Sequence, residues 1–150
     1  MEGKGILNKW FDDATTVTNL LVTCFFPTVS LLAIGPTHWA KLLSACTGRD
    51  ISGDELMAVG DKVFTLQRAY LARAGITRKD DDWPERFYRE ALPEGPAKGA
   101  RLTREMTNKY LDEYYEARGW DKATGLPGKK KLVDVGLKDV ANDLARRGKL

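Results

Sequence analysis

One helix, predicted between Ser52 and Gly75, constrains the fold more than any other stretch of the sequence. Ser52-Gly-Asp-Glu55 has capping-box spacing, in which the hydroxyl binds the third amide and the carboxylate returns to the cap amide. Apolar side chains then recur every three or four residues, which places them on one side of a helix that runs to about Ala74 and stops at Gly75. These side chains are Leu56, Val59, Val63, Phe64, Leu66, Tyr70 and Leu71.

The remaining sequence also favours helices. Turn residues and apolar spacing predict further helices at 6–24, 36–47, 85–91, 103–118 and 129–147, the last broken near Gly136. No stretch shows sustained strand alternation. We therefore predict an all-α fold, an irregular multi-helix domain that occupies residues 1–150 as a single unit. Gly60 inside the central helix predicts close packing against another helix, because glycine there otherwise costs up to about 1 kcal/mol relative to alanine.

An apolar run from Leu20 to Ile34 is too short to cross a bilayer, which takes roughly 20 residues. Pro27 interrupts the run, and Asp12 and Asp13 stand just ahead of it, where a secretory signal would be positively charged. We therefore predict buried core here, with no membrane association and no export. The formal net charge of +3 is too small to argue for nucleic acid as a partner.

Two cysteines and a single histidine limit the self-contained metal sites. Cys24 and Cys46 belong to no Cys-x-x-Cys pair, and we expect both to be reduced thiols in a cytoplasm, Cys46 in the core. We expect His38 at the surface or in the first turn of a helix. The run Asp80-Asp-Asp82 lacks the spacing of a hard-metal loop and more simply favours the start of the following helix.

Three segments together carry a resemblance to a known family. They are Gly75-Ile-Thr-Arg-Lys-Asp-Asp-Asp-Trp-Pro-Glu-Arg86, Leu92-Pro-Glu-Gly-Pro-Ala-Lys-Gly99 and Asp112-Glu-Tyr-Tyr-Glu-Ala-Arg-Gly-Trp-Asp121. The chain resembles the C-terminal portion of the tungsten-containing aldehyde ferredoxin oxidoreductase family, from about Gly5 to Val140. Members of that family are several times longer, so we expect this chain to be one part of a larger enzyme.

The resemblance implies a site at Asn19-Leu-Leu-Val-Thr-Cys24. It matches the family's second Asp-x-x-Gly-Leu-Cys segment, which lies against the metallopterin and supplies the fourth ligand of a [4Fe–4S] cluster. Cys24 is then the metal ligand, and Asn19, Val22 and Thr23 are the cofactor-binding residues in place of Asp, Gly and Leu. A β-branched residue restricts the close backbone approach that glycine permits, so we expect an altered pterin contact. From the residues alone, Cys24 also fits a buried apolar thiol.

The function implied by the resemblance is oxidation of an aldehyde to a carboxylic acid, with electrons passing through the cluster to ferredoxin. A tungsten (or molybdenum) bis-pterin and the [4Fe–4S] cluster are implied only for the full enzyme, and none is expected in the isolated chain. The implied partners are the remaining pterin- and cluster-binding domains, in the same gene or a separate subunit. Two alternatives stay open: a relative that reduces an aromatic acyl thioester, and a non-catalytic, free-standing helical binding or structural module.

Overall fold

The computed structural model describes residues 2–150, and Val29 by its backbone alone. Within this range the chain forms helices and no strand, and an isolated bridge joins Trp120 to Pro127. A π-helical turn, Phe26–Ser30, follows the first helix, and a 3-10 turn, Arg78–Asp80, follows the third. The all-α prediction is confirmed. The α-helices are α1 (Lys4–Leu20), α2 (Pro36–Thr47), α3 (Gly53–Arg73), α4 (Arg86–Arg89), α5 (Arg104–Arg118), α6 (Lys129–Asp134) and α7 (Lys138–Arg146).

The predicted signals for the start and end of α3 are present. The Glu55 amide donates to the Ser52 hydroxyl at 3.2 Å, and the Ser52 amide donates to the Glu55 carboxylate at 2.8 Å. Gly75 follows the helix with a φ of 92°, a conformation that L side chains rarely adopt. The capping box and the stop at Gly75 are therefore confirmed.

Helix α3 is common to the three apolar clusters of the fold. Its first half packs with α1 and α2, where Leu56 meets Trp39. Its middle places Phe64 against the aromatic cluster of α5 and Trp120. Its last turns contribute Ala69 and Ala72 to a cluster with α6 and α7. One long helix thus links the three clusters.

Gly60 lies at the crossing of α1 and α3. A Cβ atom built on Gly60 would stand 2.5 Å from the Asp13 carbonyl oxygen and 3.1 Å from a methyl group of Val17. The two helices can approach this closely because glycine has no side chain. The predicted close packing is confirmed.

A buried guanidinium, that of Arg118, links α5 to two other helices. The side chain is fully buried and forms ion pairs with Asp12 and Asp13 of α1 and with Asp61 of α3. Lys131 of α6 approaches Asp61 at 2.5 Å. Burial by itself would raise the pKa of Asp61, but the hydrogen bond from Lys131 and the nearby cations lower it below its ordinary value. The charged form of Asp61 is thereby favoured, and the opposite charges of the cluster join α1, α3, α5 and α6.

The predicted apolar face of α3 is wrong at Val59, which is 40% exposed, and over most of the second half of the helix. Leu66 and Leu71 are exposed, and Tyr70 is 69% exposed. The buried face of this half is formed instead by small and polar residues: Thr65, Arg68, Ala69 and Ala72. Alanines let α3 approach its neighbours closely, so the longer side chains stay outside the contact.

The prediction of buried core for the run from Leu20 to Ile34 is also wrong. Val22 is 92% exposed, and Phe26 and Leu31 are each about two-thirds exposed. Cys46, predicted in the core, is exposed as well, because the buried residues of α2 lie near its beginning and its last turn extends past the cluster. Among the described residues, no helix is both long and apolar enough to cross a membrane.

We expect Gly60→Ala to destabilise the fold by about 1–3 kcal/mol, because the added methyl group would overlap the α1 backbone. Chemical denaturation measures the change. Gly128→Ala is the control, because nothing lies within 4 Å of a Cβ built there. Equal stability of the two variants would contradict the close helix crossing.

We expect Arg118→Met to lower the free energy of unfolding by about 3–5 kcal/mol, because it leaves buried carboxylates without their cation. Lys130→Met removes an exposed pair with Asp134 and should change stability far less, because solvent screens an exposed pair. Urea titrations of the two variants test the difference. A loss for Arg118→Met no larger than that of the control would show that the cluster does not hold the helices together.

Candidate functional site

The segment Asn19–Cys24 forms the end of α1 and the turn that follows it. The Val22 amide donates to the Asn19 carbonyl at 3.2 Å, and the Thr23 amide donates to the Thr18 carbonyl at 3.0 Å. This pair of bonds is the Schellman motif that closes many helices. The residue at its turning point is Val22, with a φ of 54°. The four predicted site residues are thus held in one tight turn.

Val22 occupies a backbone position that normally belongs to glycine. A left-handed φ is strained for a β-branched residue and costs on the order of 1–3 kcal/mol. The side chain points into open surroundings, since Val22 is almost fully exposed. The chain therefore keeps the turn that glycine would favour although it carries valine there.

Cys24 follows this turn and presents a free, exposed thiol. The Cys24 carbonyl oxygen accepts a hydrogen bond of 2.9 Å from the buried hydroxyl of Thr28. The same hydroxyl also donates to the Phe25 carbonyl at 2.8 Å. The prediction of a buried apolar thiol does not fit this exposure. An exposed cysteine at a fixed turn suits coordination to a group held by another part of a protein.

The segment of chain around Cys24 is apolar and uncharged. From Ala14 to Ala40 the sequence contains no Asp, Glu, Lys or Arg. Large side chains of the same stretch stand on the surface: Leu20, Val22, Phe25, Phe26, Leu31 and Leu32. Leu32 shares the left-handed backbone of Val22, with a φ of 51°. Interface cores are depleted in charge in this way, which indicates a surface that is covered in a larger assembly.

The other two predicted cofactor-binding residues, Asn19 and Thr23, differ in whether their side chains are free to bind a group outside the turn. Asn19 is exposed, whereas the Thr23 hydroxyl donates to the Thr18 carbonyl at 3.2 Å and is therefore engaged locally. No group of three or more His, Cys, Asp or Glu side chains within residues 2–150 could hold a metal ion. Cys24 could thus supply one of the ligands that a cluster needs, and the others must come from elsewhere.

The remaining sequence candidates have structural roles. His38 is exposed in the first turn of α2, as predicted, and its Nδ1 accepts from the Gly35 amide at 3.3 Å. The three aspartates do not share a centre, because Asp80 binds Thr77, Asp81 binds Arg68 and Asp82 binds Arg104.

Sequence reasoning missed the left-handed backbone of Val22 and the buried hydroxyl of Thr28. A glycine in the matching family motif is itself a signal for positive φ, and it could have identified the first. No local pattern marks the second, because the burial of Thr28 depends on tertiary packing.

We expect Val22→Gly to stabilise the chain by about 1 kcal/mol, because relief of the strained backbone outweighs the greater entropy of the unfolded chain. Thermal and urea unfolding give the change. Thr23→Gly is a control in the same turn that lacks the left-handed backbone and should destabilise. Loss of stability in both variants would show that Val22 is not strained.

Comparisons with known proteins identify the family of this chain. The family model for domains 2 and 3 of aldehyde ferredoxin oxidoreductase matches residues 1–137. The tungsten-containing aldehyde ferredoxin oxidoreductase of Pyrococcus horikoshii is 35% identical over 130 residues, which cover 86% of this chain and 20% of the relative. That of Pyrococcus furiosus is 32% identical over 128 residues, with 85% and 20% covered. This chain therefore spans about a fifth of the length of these relatives.

Two further matches come from oxidoreductases with other names. The WOR-like subunit of an aliphatic sulfonate oxidoreductase from Pyrococcus furiosus is 35% identical over 109 residues, 69% of this chain and 17% of the relative. Among solved structures, the active-site complex BamBC of benzoyl coenzyme A reductase, in complex with 1,5-dienoyl-CoA, matches with a TM-score of 0.78. It covers 97% of this chain and 21% of that one at 23% identity, which shows a shared fold. The chain belongs to the aldehyde ferredoxin oxidoreductase family, in the part described as domains 2 and 3.

Proposed function

We propose that this chain is the C-terminal helical domain of a tungsten- or molybdenum-pterin, iron–sulfur oxidoreductase that oxidises aldehydes to carboxylic acids. Ferredoxin would accept the electrons. The observation that carries the proposal is Cys24, an exposed thiol set by a helix-closing turn within the segment that matches the family motif. The enzyme would work in a reducing cytoplasm, where its cysteines remain thiols.

The part played by this chain would be to position cofactors held mainly by other domains. Cys24 would supply one thiolate to a [4Fe–4S] cluster, and the three other ligands would come from the remaining polypeptide. The pterin-bound metal and the cluster, when bound, supply the redox chemistry. The chain's own contribution is a fixed ligand and a water-excluding wall.

Asn19, Val22 and Thr23 would form part of the wall beside the pterin and the substrate. The exposed Asn19 amide can both donate and accept hydrogen bonds, unlike a carboxylate. The Val22 side chain stands out from the turn, so a neighbouring group must keep its distance from the backbone. These two differences from the family motif predict a pterin contact of altered shape and charge.

The uncharged surface around Cys24 supports the presence of a covering partner. Its exposed leucines and phenylalanines would be costly to leave in water, at roughly 25 cal/mol for each Å² of apolar area. Docking of the other domains would remove water from this surface and from the cluster beside it. A lower local dielectric would then strengthen the electrostatic influence of the surrounding groups on the cluster.

A second candidate is a family relative that reduces an aromatic acyl thioester. The fold shared with benzoyl coenzyme A reductase favours it, as does the departure of Asn19 and Val22 from the family motif. Substrate assays of the assembled enzyme separate the two. Aldehyde-dependent reduction of ferredoxin supports the first, and acyl-thioester-dependent oxidation of reduced ferredoxin supports the second.

We expect Cys24→Ser to lower the iron content and shift the cluster potential when this chain is assembled with the polypeptide that carries the other cluster ligands. Iron, tungsten and molybdenum are measured in the purified complex, together with its redox titration. Cys46→Ser is the matched control, since Cys46 is also exposed but lies outside the motif.

Unchanged iron and potential in Cys24→Ser would refute the ligand assignment. A wild-type chain that stays metal-free and does not associate with such a polypeptide would instead favour the free-standing helical module.

A further inference from the structure

A second apolar surface lies apart from the Cys24 segment, in a groove lined at one end by α1 and Trp83 and at the other end by residues 86–106. Two neighbouring cavities of about 550 Å³ and 310 Å³ share Leu102 as a common wall. Apolar side chains that line them are unusually open to solvent: Trp83 is 46% exposed, Phe87 49% and Leu92 51%. Both volumes fall within the range of pockets that enclose drug-sized ligands, roughly 300–1,000 Å³, so the cavities have room for large apolar side chains.

The groove is built by a fixed framework. The loop after α4 closes on itself through the Leu92 amide, which donates to the Ala100 carbonyl at 2.9 Å. The Leu102 amide then donates to the Phe87 carbonyl at 3.0 Å. These bonds hold the two edges of the larger cavity in place, so an occupant would meet a formed surface.

An ionic network anchors the same framework to α5. Arg104 pairs with Asp82 and Glu85 and stacks 3.9 Å above the ring of Tyr88. Hydrogen bonds from Tyr88 and Arg104 lower the pKa of the Asp82 carboxyl below its ordinary value, which favours the charged form that pairs with Arg104. Such preorganisation reduces the entropy that binding costs.

The rim of the groove has an excess of positive charge. Lys4 and Arg101 make no salt bridge within residues 2–150, and Glu90 is neutralised by Arg86 at 2.8 Å. An occupant with carboxylates beside its apolar side chains would complement this rim.

The shape of the groove argues against a second copy of this chain as its occupant. A two-fold dimer brings the same surface together from both subunits, so that surface must be self-complementary. Two concave grooves facing each other would enclose a void. A convex segment of a different sequence is required, and the relatives of this chain have about four-fifths of their length outside the region it spans.

We propose that this groove receives an apolar segment flanked by acidic residues from the polypeptide that completes the enzyme. The proposal rests on the proposed function, because it takes the completing polypeptide as the occupant. The enzyme would then hold this chain at two separate surfaces, the Cys24 segment and the groove. The second contact would fix the orientation of the first.

The test measures the Kd between the full chain and the polypeptide that carries the pterin- and cluster-binding domains. Phe87→Asp, which places a charge on the groove wall, should weaken the Kd about tenfold or more. Arg101→Glu should weaken it about threefold or more, with a larger effect at low salt. Tyr70→Asp on the exposed side of α3 is the control and should stay within about twofold of wild type.

Amide hydrogen exchange of the unaltered chain gives a measurement that needs no variant. Protection of residues 83–102 on complex formation is expected. A Kd for Phe87→Asp no weaker than that of the control, or unchanged exchange in this range, would overturn the groove assignment. Near-ultraviolet circular dichroism confirms that the variants compared are folded.

Other outcomes separate this inference from the proposed function. Groove protection together with unchanged iron in Cys24→Ser would leave the groove standing and remove the cluster assignment. Loss of iron in Cys24→Ser with an unprotected groove would support the cluster assignment and overturn the groove assignment. Self-association of the chain alone that Phe87→Asp abolishes would assign the groove to a second copy and overturn the inference, and a wild-type chain that binds no such polypeptide would overturn both.

Discussion

The ion cluster around Arg118 is the interaction on which the rest of this structure depends. One buried guanidinium neutralises carboxylates from α1 and α3, and Lys131 brings α6 to the same centre. A buried carboxylate without a cation would destabilise the fold strongly, so these helices can pack only in the arrangement that brings the charges together. Because α1 is fixed in this way, its C-terminal turn and Cys24 are fixed with it.

At the candidate site, a rigid backbone turn lies beside apolar side chains that are exposed to solvent. The Schellman turn at Val22 and the hydroxyl of Thr28 hold the backbone around Cys24, while the neighbouring apolar side chains have no cover within the described chain. A domain that spans about a fifth of its relatives would have this character. Its stability comes from its own core, and its chemistry requires surfaces that other domains supply.

Helix positions were predictable because their signals are local. The capping box at Ser52, the stop at Gly75 and the break near Gly136 act within a few residues, and all appear in the structure. Burial was less predictable. The apolar run after Leu20 has the composition of a core, yet most of it is exposed, since composition records only that a side chain avoids water and not which surface covers it.

The sequence alone determined the helical class, the family and the segment that contains Cys24, because turn chemistry, capping and motif order are written in adjacent residues. Only the tertiary structure decided which helix faces meet and whether Cys24 is buried or exposed. It also showed that Trp83 and Phe87 line a groove. Those features depend on contacts between residues distant in the chain, such as Arg118 with Asp13, and local spacing carries no record of such contacts.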